Sequence, residues 1–313
     1  MTSDRLIPGN RAHEQIALVA LVQAGTLPMS HLAGMVEQVG SAVRLLEGAN
    51  SSRLGAGDQP ALFDLVPEEA REKAAREVAS WKTRPYHVAL VLDDSYPHQL
   101  RGIHNRPALL FTEGQPQALI GAPGVAIVGT RAATDKGKAR AARLVRSFGD
   151  AGITIFSGLA AGIDTAAHQE ALRVGIRTVA VFGTGLRSVF PKANASLARD
   201  IVRADGALVS QFLPTQHAAK WTFPTRNITM SGLSVATVVV EAGETSGARM
   251  QARVALEHGR AVFLLQSLVD EHEWARVMVD RGIGNVRARI LRTSGDLVDG
   301  LSPDAELPEL APA

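Results

Sequence analysis

Between residues 125 and 265 the chain repeats one pattern: a short apolar run stops at a glycine-containing turn, and a helical spacing of apolar positions follows. Residues 125–128 stop at Gly129-Thr130-Arg131, and residues 153–156 at Ser157-Gly158-Leu159-Ala160-Ala161-Gly162. Residues 178–182 stop at Gly183-Thr184-Gly185, and residues 237–240 at Glu241-Ala242-Gly243. Continuous apolar runs, rather than alternating ones, suit strands buried on both faces, as in a parallel sheet covered by helices. The pattern predicts helices over 134–150 with Thr134 as cap, 164–174 with Asp164 as cap, 193–203, 246–258 and 269–281 with Gly282 as its stop. A further strand is expected at 261–265, with two more at 87–92 and 109–112. In such sheets ligands bind at the carboxyl ends of the strands, so these turns mark the functional edge.

The N-terminal pattern differs. Apolar positions at helical spacing predict helices over 13–22, 29–39 and 42–46, and Pro67, Glu68 and Glu69 open a charged helix running to Lys82. Residues 50–60 read as a loop and 302–313 as a flexible tail. The expected organisation is a helical domain at 1–84 and an α/β domain at 85–301, an extended Rossmann-like, mostly parallel sheet flanked by helices.

Composition narrows the classes. Apolar residues make up 46% and charged residues 20%, ordinary for a globular chain. A net charge of +2 restricts any nucleic-acid site to a local patch. Cysteine is absent, which excludes disulfides, thiolate metal sites and cysteine nucleophiles. No secretory pattern or membrane-length apolar run occurs, and a cytoplasmic location follows by default.

The turns carry the candidate chemistry. Gly129 and Thr130 let backbone approach a ligand, and Arg131 offers a planar fork suited to phosphate, although a single arginine in a turn is often only a surface charge. Ser157, Gly158 and Gly162 precede a helix whose first N–H groups can face an anion. Asp164 is either a cap or a ligand contact, and His168, one turn on, is more often structural than catalytic. Lys192 stands at a helix start, where the dipole disfavours cations, with Asn194 just beyond. Phe223-Pro224-Thr225-Arg226-Asn227 reads as a rigid turn in which Phe223 either stacks on a base or packs in the core, with Arg226 and Asn227 beside it. Walker A, HExxH, GxSxG and strict GxGxxG motifs are all missing, and Glu241 and Glu244 have no evident partner for acid–base work. Binding is favoured over chemistry, and no cofactor or metal is expected.

Taken in order, the motifs resemble the DNA-processing protein A (DprA/Smf) family. The likeness covers Tyr96-Pro97, PALLFTEG from Pro107, VGTR ending at Arg131, SGLAAGIDTAAH from Ser157 and FGTGL from Phe182. It continues through FPKAN from Phe190, FPTRN from Phe223, SGLS from Ser231, VVVEA from Val238 and ALEHGRAVF from Ala255. The resemblance implies a Rossmann-like domain with a helical, often SAM-like, N-terminal domain, and single-stranded DNA bound in a basic pocket at the strand ends. It also implies phosphate contacts from Arg131 and Lys192, a homodimer, loading of a RecA-type recombinase in natural transformation, and no enzymatic activity.

This chain departs from the family in several places. Ile228 and Thr229 follow the FPTRN motif where a second arginine is usual, and Gln211 follows Ser210 where glutamate is usual. Residues 266–284 replace a segment that serves dimerisation and recombinase contact in relatives, and Gly25-Thr26-Leu27-Pro28 stands in place of a Gly-x-Gly hairpin. Two other readings remain. One is an enzyme resembling nucleoside-monophosphate phosphoribohydrolases, although Glu241-Ala242-Gly243-Glu244-Thr245-Ser246-Gly247 lacks their paired glycine. The other is a diverged paralogue serving as a nucleotide sensor or scaffold in mobile-element or defence biology.

Overall fold

The computed structural model describes residues 9–25, 29–47, 66–84, 86–149, 151–293 and 296. The loop expected at 50–60 and the tail expected at 302–313 lie outside the described residues. The chain forms two compact units, residues 1–96 with 104–110, and residues 97–103 with 111–313.

The first unit contains α1 (Arg11–Ala24), α2 (Met29–Val39), α3 (Ala42–Leu46), α4 (Glu68–Trp81) and β1 (Tyr86–Leu90). Asn10 caps α1 by accepting from the Ala12 N–H at 3.0 Å. Glu14 is buried on α1 and accepts from Ser41 Oγ and Ala42 N, both at 2.6 Å, so one carboxylate satisfies the orphan donors at the start of α3.

In the second unit, α5 (His98–Arg101) and β2 (Leu109–Gly114, from Phe111 onward) precede the alternating run. That run is β3 (Gly124–Val128), α6 (Asp135–Ser147), β4 (Thr154–Ser157), α7 (Ile163–Arg173), β5 (Thr178–Val181), α8 (Ala195–Arg203) and β6 (Ala207–Ser210). There follow α9 (Thr222–Leu233), β7 (Ala236–Val239), α10 (Gly247–Glu257), β8 (Ala261–Leu265), α11 (Gln266–Glu271), α12 (Glu273–Asp280) and β9 (Arg289–Leu291). The strand order is β2-β6-β5-β4-β3-β7-β8-β9, with β1 next to β2. All pairings from β6 to β9 are parallel, and β2 runs antiparallel to β6.

The topology explains where a site must form. From β3 the chain steps outward to β4 and β5, and it returns to the other side of β3 only at β7. Successive crossovers in opposite directions leave a crevice between the carboxyl ends of β3 and β7. One sheet face buries Val125, Ile127, Ile155 and Val238 against Ala141, Val145 and Ala167 of α6 and α7. These strands are buried along their whole length because the other face is covered too, by α9 over β3 and α10 over β7.

Five elements differ from the sequence pattern. The Phe223–Asn227 segment is not a turn but lies in the first turns of α9, where Pro224 costs nothing because the early N–H groups of a helix have no internal acceptor. Asp164 does not cap α7: Gly162 is the cap residue, and Asp164 turns back to the preceding loop. The helix expected over 269–281 breaks at His272, whose backbone is extended. Buried Leu268 and buried Trp274 are six residues apart, a spacing that puts them on different faces of one helix, so the chain resets between them. The four-residue β6 and three-residue β9 are too short to have stood out in the sequence.

Candidate nucleic-acid interface at the strand ends

The crevice is built by backbone locking. Thr130 N–H donates to the Glu241 carbonyl at 2.6 Å, which ties the end of β3 to the end of β7. A side chain at Gly129 would run into Ile163 and that same carbonyl, so only glycine lets the turn pass. The Glu241 carboxylate accepts from Thr134 N at 3.2 Å and Thr134 Oγ1 at 3.0 Å. Glu241 is thereby a brace on the start of α6.

The loop after β4 is held the same way. Ser157 is fully buried and its hydroxyl donates to Ile127 O at 2.6 Å, stitching β4 to β3. Gly158 N and Ala160 N donate to Asp164 Oδ2 at 3.1 and 3.3 Å. Asn194 is buried and donates to Leu159 O and Thr165 Oγ1, each at 2.8 Å. Gly162 has φ +83°, and a Cβ there would strike the carbonyls of Thr130 and Arg131. Ser157 and Asn194 thus shape the loop from beneath, and their polar atoms are spent on the scaffold.

Beneath the crevice lies Arg226. Its guanidinium rests on the Gly158 backbone, where any side chain would collide with it. Nη1 donates to Val181 O at 2.8 Å and Nε to Asn227 Oδ1 at 3.1 Å. Burial pushes the Asp164 carboxyl above its usual range, and the field of Arg226 and the loop N–H groups pull it back. Burial also lowers the Arg226 guanidinium, with the Asp164 charge opposing that. His168 is fully buried, with Nδ1 at 2.7 Å from Thr178 Oγ1. The Thr178 hydroxyl in turn lies 3.0 Å from Ile155 O, so the ring is tied through it to β4. Burial, then the Arg226 charge, bring this imidazole down from 6.5 to about 3. It is structural and neutral.

The rim has the opposite character. Arg131 is exposed, and its Cζ lies 5.3 Å from the centroid of the Phe223 ring. Phe190 meets Phe223 at 5.6 Å between centroids and remains 46% exposed. Trp221 is 54% exposed, its ring set edge-on to Phe212 at 5.6 Å. A cavity of about 470 Å³ opens between Arg131, Phe223 and the start of α10, and one of about 130 Å³ lies between Arg131, Phe190 and Phe223. Gly247 and Ala248 bring the N-terminus of α10 to the larger cavity, whose wall also holds buried Gln251 with an unpartnered side-chain oxygen. Lys192 is exposed in the short turn after Pro191, a residue that lines the smaller cavity.

Gly129, Thr130, Arg131, Gly158, Phe223, Arg226 and Asn227 therefore converge on these two cavities. Gly162 and Ser157 lie under the loops, and Lys192 stands beside the smaller cavity. Phe190, Trp221 and the α10 start were not singled out from the sequence, since an exposed aromatic and a buried one read alike there. Among the described residues no group of three or more His, Cys, Asp or Glu side chains is placed to hold a metal, and no helix is long and apolar enough to cross a membrane.

Known proteins share this fold. DNA processing protein DprA of Streptococcus pneumoniae is 40% identical over 175 residues, 56% of this chain and 61% of that one. Protein Smf of Escherichia coli is 39% identical over 194 residues, 62% of this chain and 52% of that one. The chain thus spans between half and two thirds of the length of these curated relatives. The crystal structure of DprA from S. pneumoniae superposes with a TM-score of 0.74 at 30% identity, covering 91% of this chain and 97% of that one. DNA processing protein A from Helicobacter pylori, described for its single-stranded DNA binding mode, shares the fold with a TM-score of 0.59 at 24% identity over 69% of this chain and 95% of its own. The sequence profile of DNA recombination-mediator protein A matches residues 87–299, and the chain belongs to that family.

Proposed function

We propose that this protein binds single-stranded DNA with little sequence preference at the β3/β7 crevice and passes the strand to a RecA-type recombinase during DNA uptake or homologous recombination. It would do so in the cytoplasm, as a homodimer and without catalysing a reaction. The observation that carries the reading is the exposed Arg131 guanidinium over Phe223, with Phe190 beside it. A cation neutralises a backbone phosphate, and the aromatic faces receive unpaired bases of any identity. Paired bases in a duplex do not offer their faces, so this arrangement selects for single strands. Lys192 adds a second cation beside the aromatic pair. Gly129, Thr130, Gly158 and Gly162 let backbone come close, while Ser157, Asn194, Arg226 and Asn227 hold the loops in place. Membership of the recombination-mediator family and the DNA-binding relative from H. pylori support the reading.

Fluorescence anisotropy with a labelled oligonucleotide and its duplex tests it. The expected result is tight, salt-sensitive binding selective for the single strand and weakened tenfold or more by Phe223→Ala. Equal affinity for duplex and single strand would contradict it. Filament assembly by a RecA-type recombinase on the bound strand, with and without this protein, tests the second step.

A further inference from the structure

The crevice does not end at Arg131. Thr130 and Gly243 line both the large cavity and a neighbouring one of about 460 Å³, and Arg140, Val240 and Ser267 line both that neighbour and a third of about 390 Å³. The three form one continuous trough along the carboxyl ends of β3, β7, β8 and β9. Its wall on the α6 side carries Lys136, Arg140 and Arg143, at positions i, i+4 and i+7, which share one face of the helix.

These cations are treated differently from the others on α6. Lys138 pairs with Asp135 at 3.1 Å and Arg146 with Glu170 at 2.6 Å. No carboxylate pairs with Lys136, Arg140 or Arg143 among the described residues; Arg140 donates only to Ser267 Oγ, at 3.1 Å. Like charges at this spacing repel, and a helix carrying them gains from an anion laid along the stripe. Glu241 and Glu271 also line the middle cavity, the Glu241 carboxylate accepting from Thr134, so the cationic stripe stands opposite two acidic side chains there. Among the described residues the third cavity is lined by no acidic side chain, and it adds Arg292, whose backbone N–H donates to Asp296 at 2.8 Å.

We propose that a single strand held at Arg131 and Phe223 continues along this trough, with its phosphates on Lys136, Arg140 and Arg143. The stripe runs about 10 Å along the helix axis, long enough for more than one phosphate. The inference rests on the single-strand reading of the crevice and extends it into a longer groove, whose occupant is the same polyanion entering from the first cavity.

The test compares labelled oligothymidylates of about 5 and about 16 nucleotides, the span of site sizes found in grooves that follow a backbone. Wild-type protein is expected to bind the longer strand more tightly and with a steeper salt dependence. Arg143→Glu, at an exposed side chain, should leave the short strand bound as before, weaken the long strand at least tenfold and reduce its salt slope by about 0.7. Arg143→Lys should restore long-strand binding. Unchanged long-strand affinity in Arg143→Glu would overturn the proposal and leave the stripe to solvent or an acidic protein. Equal loss on both strands would also overturn it, since the stripe would then not act as an extension. Absence of binding by the wild type to either strand would instead sink the reading of the crevice itself.

Discussion

Arg131 and Arg226 face the same crevice and do opposite work. Arg226 is buried, donates to Val181 O and Asn227, and sets its charge against buried Asp164. Arg131 is exposed, bonded to no carboxylate among the described residues, and lies over the face of Phe223. A guanidinium under the floor has already exchanged water for protein partners and is worth most to the fold. One on the rim keeps its hydration until a phosphate displaces it and is worth most to binding. The same division separates buried Ser157 and Asn194 from exposed Phe190 and Lys192. The proposed binding crevice is thus a rigid polar floor, satisfied from within, beneath a sparse set of exposed groups.

The division can be broken most severely at the floor. Arg226→Met removes the charge facing Asp164 and leaves a buried carboxylate with no countercharge beside it. The expected loss is roughly 3 kcal/mol or more in denaturant unfolding. Adding Asp164→Asn should recover part of it, and a variant as stable as wild type would show that the floor is not electrostatically braced. Gly162→Ala comes next, because it must hold φ near +83° and displace the carbonyls of Thr130 and Arg131. A destabilisation of about 2 kcal/mol is expected, accompanied by weakened strand binding, since those carbonyls belong to the turn that aims Arg131.

Acid offers a subtler probe. His168 titrates near 3 when folded and near 6.5 when free, so between these values the unfolded chain binds a proton that the native one refuses. Stability should therefore be full above about pH 6.5 and fall as pH drops toward 3, by at most about 1.4 kcal/mol per pH unit. Glu170, held down to about 2 by hydrogen bonds from Arg173 and Arg146, loses its contribution in the same direction as pH falls below 4.5. Asp164, raised by burial, works the other way. Melting curves of wild type and His168→Gln between pH 7 and 4.5 should converge as pH falls; parallel curves would refute the buried neutral histidine. The smallest expected effect on stability, within about 0.5 kcal/mol, belongs to Arg131→Ala on the rim.

Much of this was legible in the sequence because parallel strands announce themselves. Apolar runs ending in Gly129, Gly158, Gly183 and Gly243 located the strand ends that the fold brings to one edge. Thr134 was readable as a cap and does accept from Gly137 N at 2.9 Å. What the local pattern could not carry was burial. Arg131 and Arg226 each follow a threonine and read alike, yet one is on the surface and the other under Gly158. Pro224 suggested a turn because its helix-compatible use in the first turn depends on a helix start that no capping side chain marks. Asp164 looked like a cap for the same reason: the donors it actually accepts from, Gly158 N and Ala160 N, are fixed by the loop's path. The trough along α6 was hidden entirely, since it joins Arg140 to Ser267 across 127 positions of chain.

The most direct test of the division is to measure single-strand affinity across a series of salt concentrations for Arg131→Ala and wild type, with unfolding curves recorded on the same preparations. The account predicts an unchanged unfolding midpoint, a loss of affinity similar for every sequence, and a salt slope shallower by about 0.7. Wild-type affinity in the variant, or a loss of stability matching the loss of binding, would contradict it.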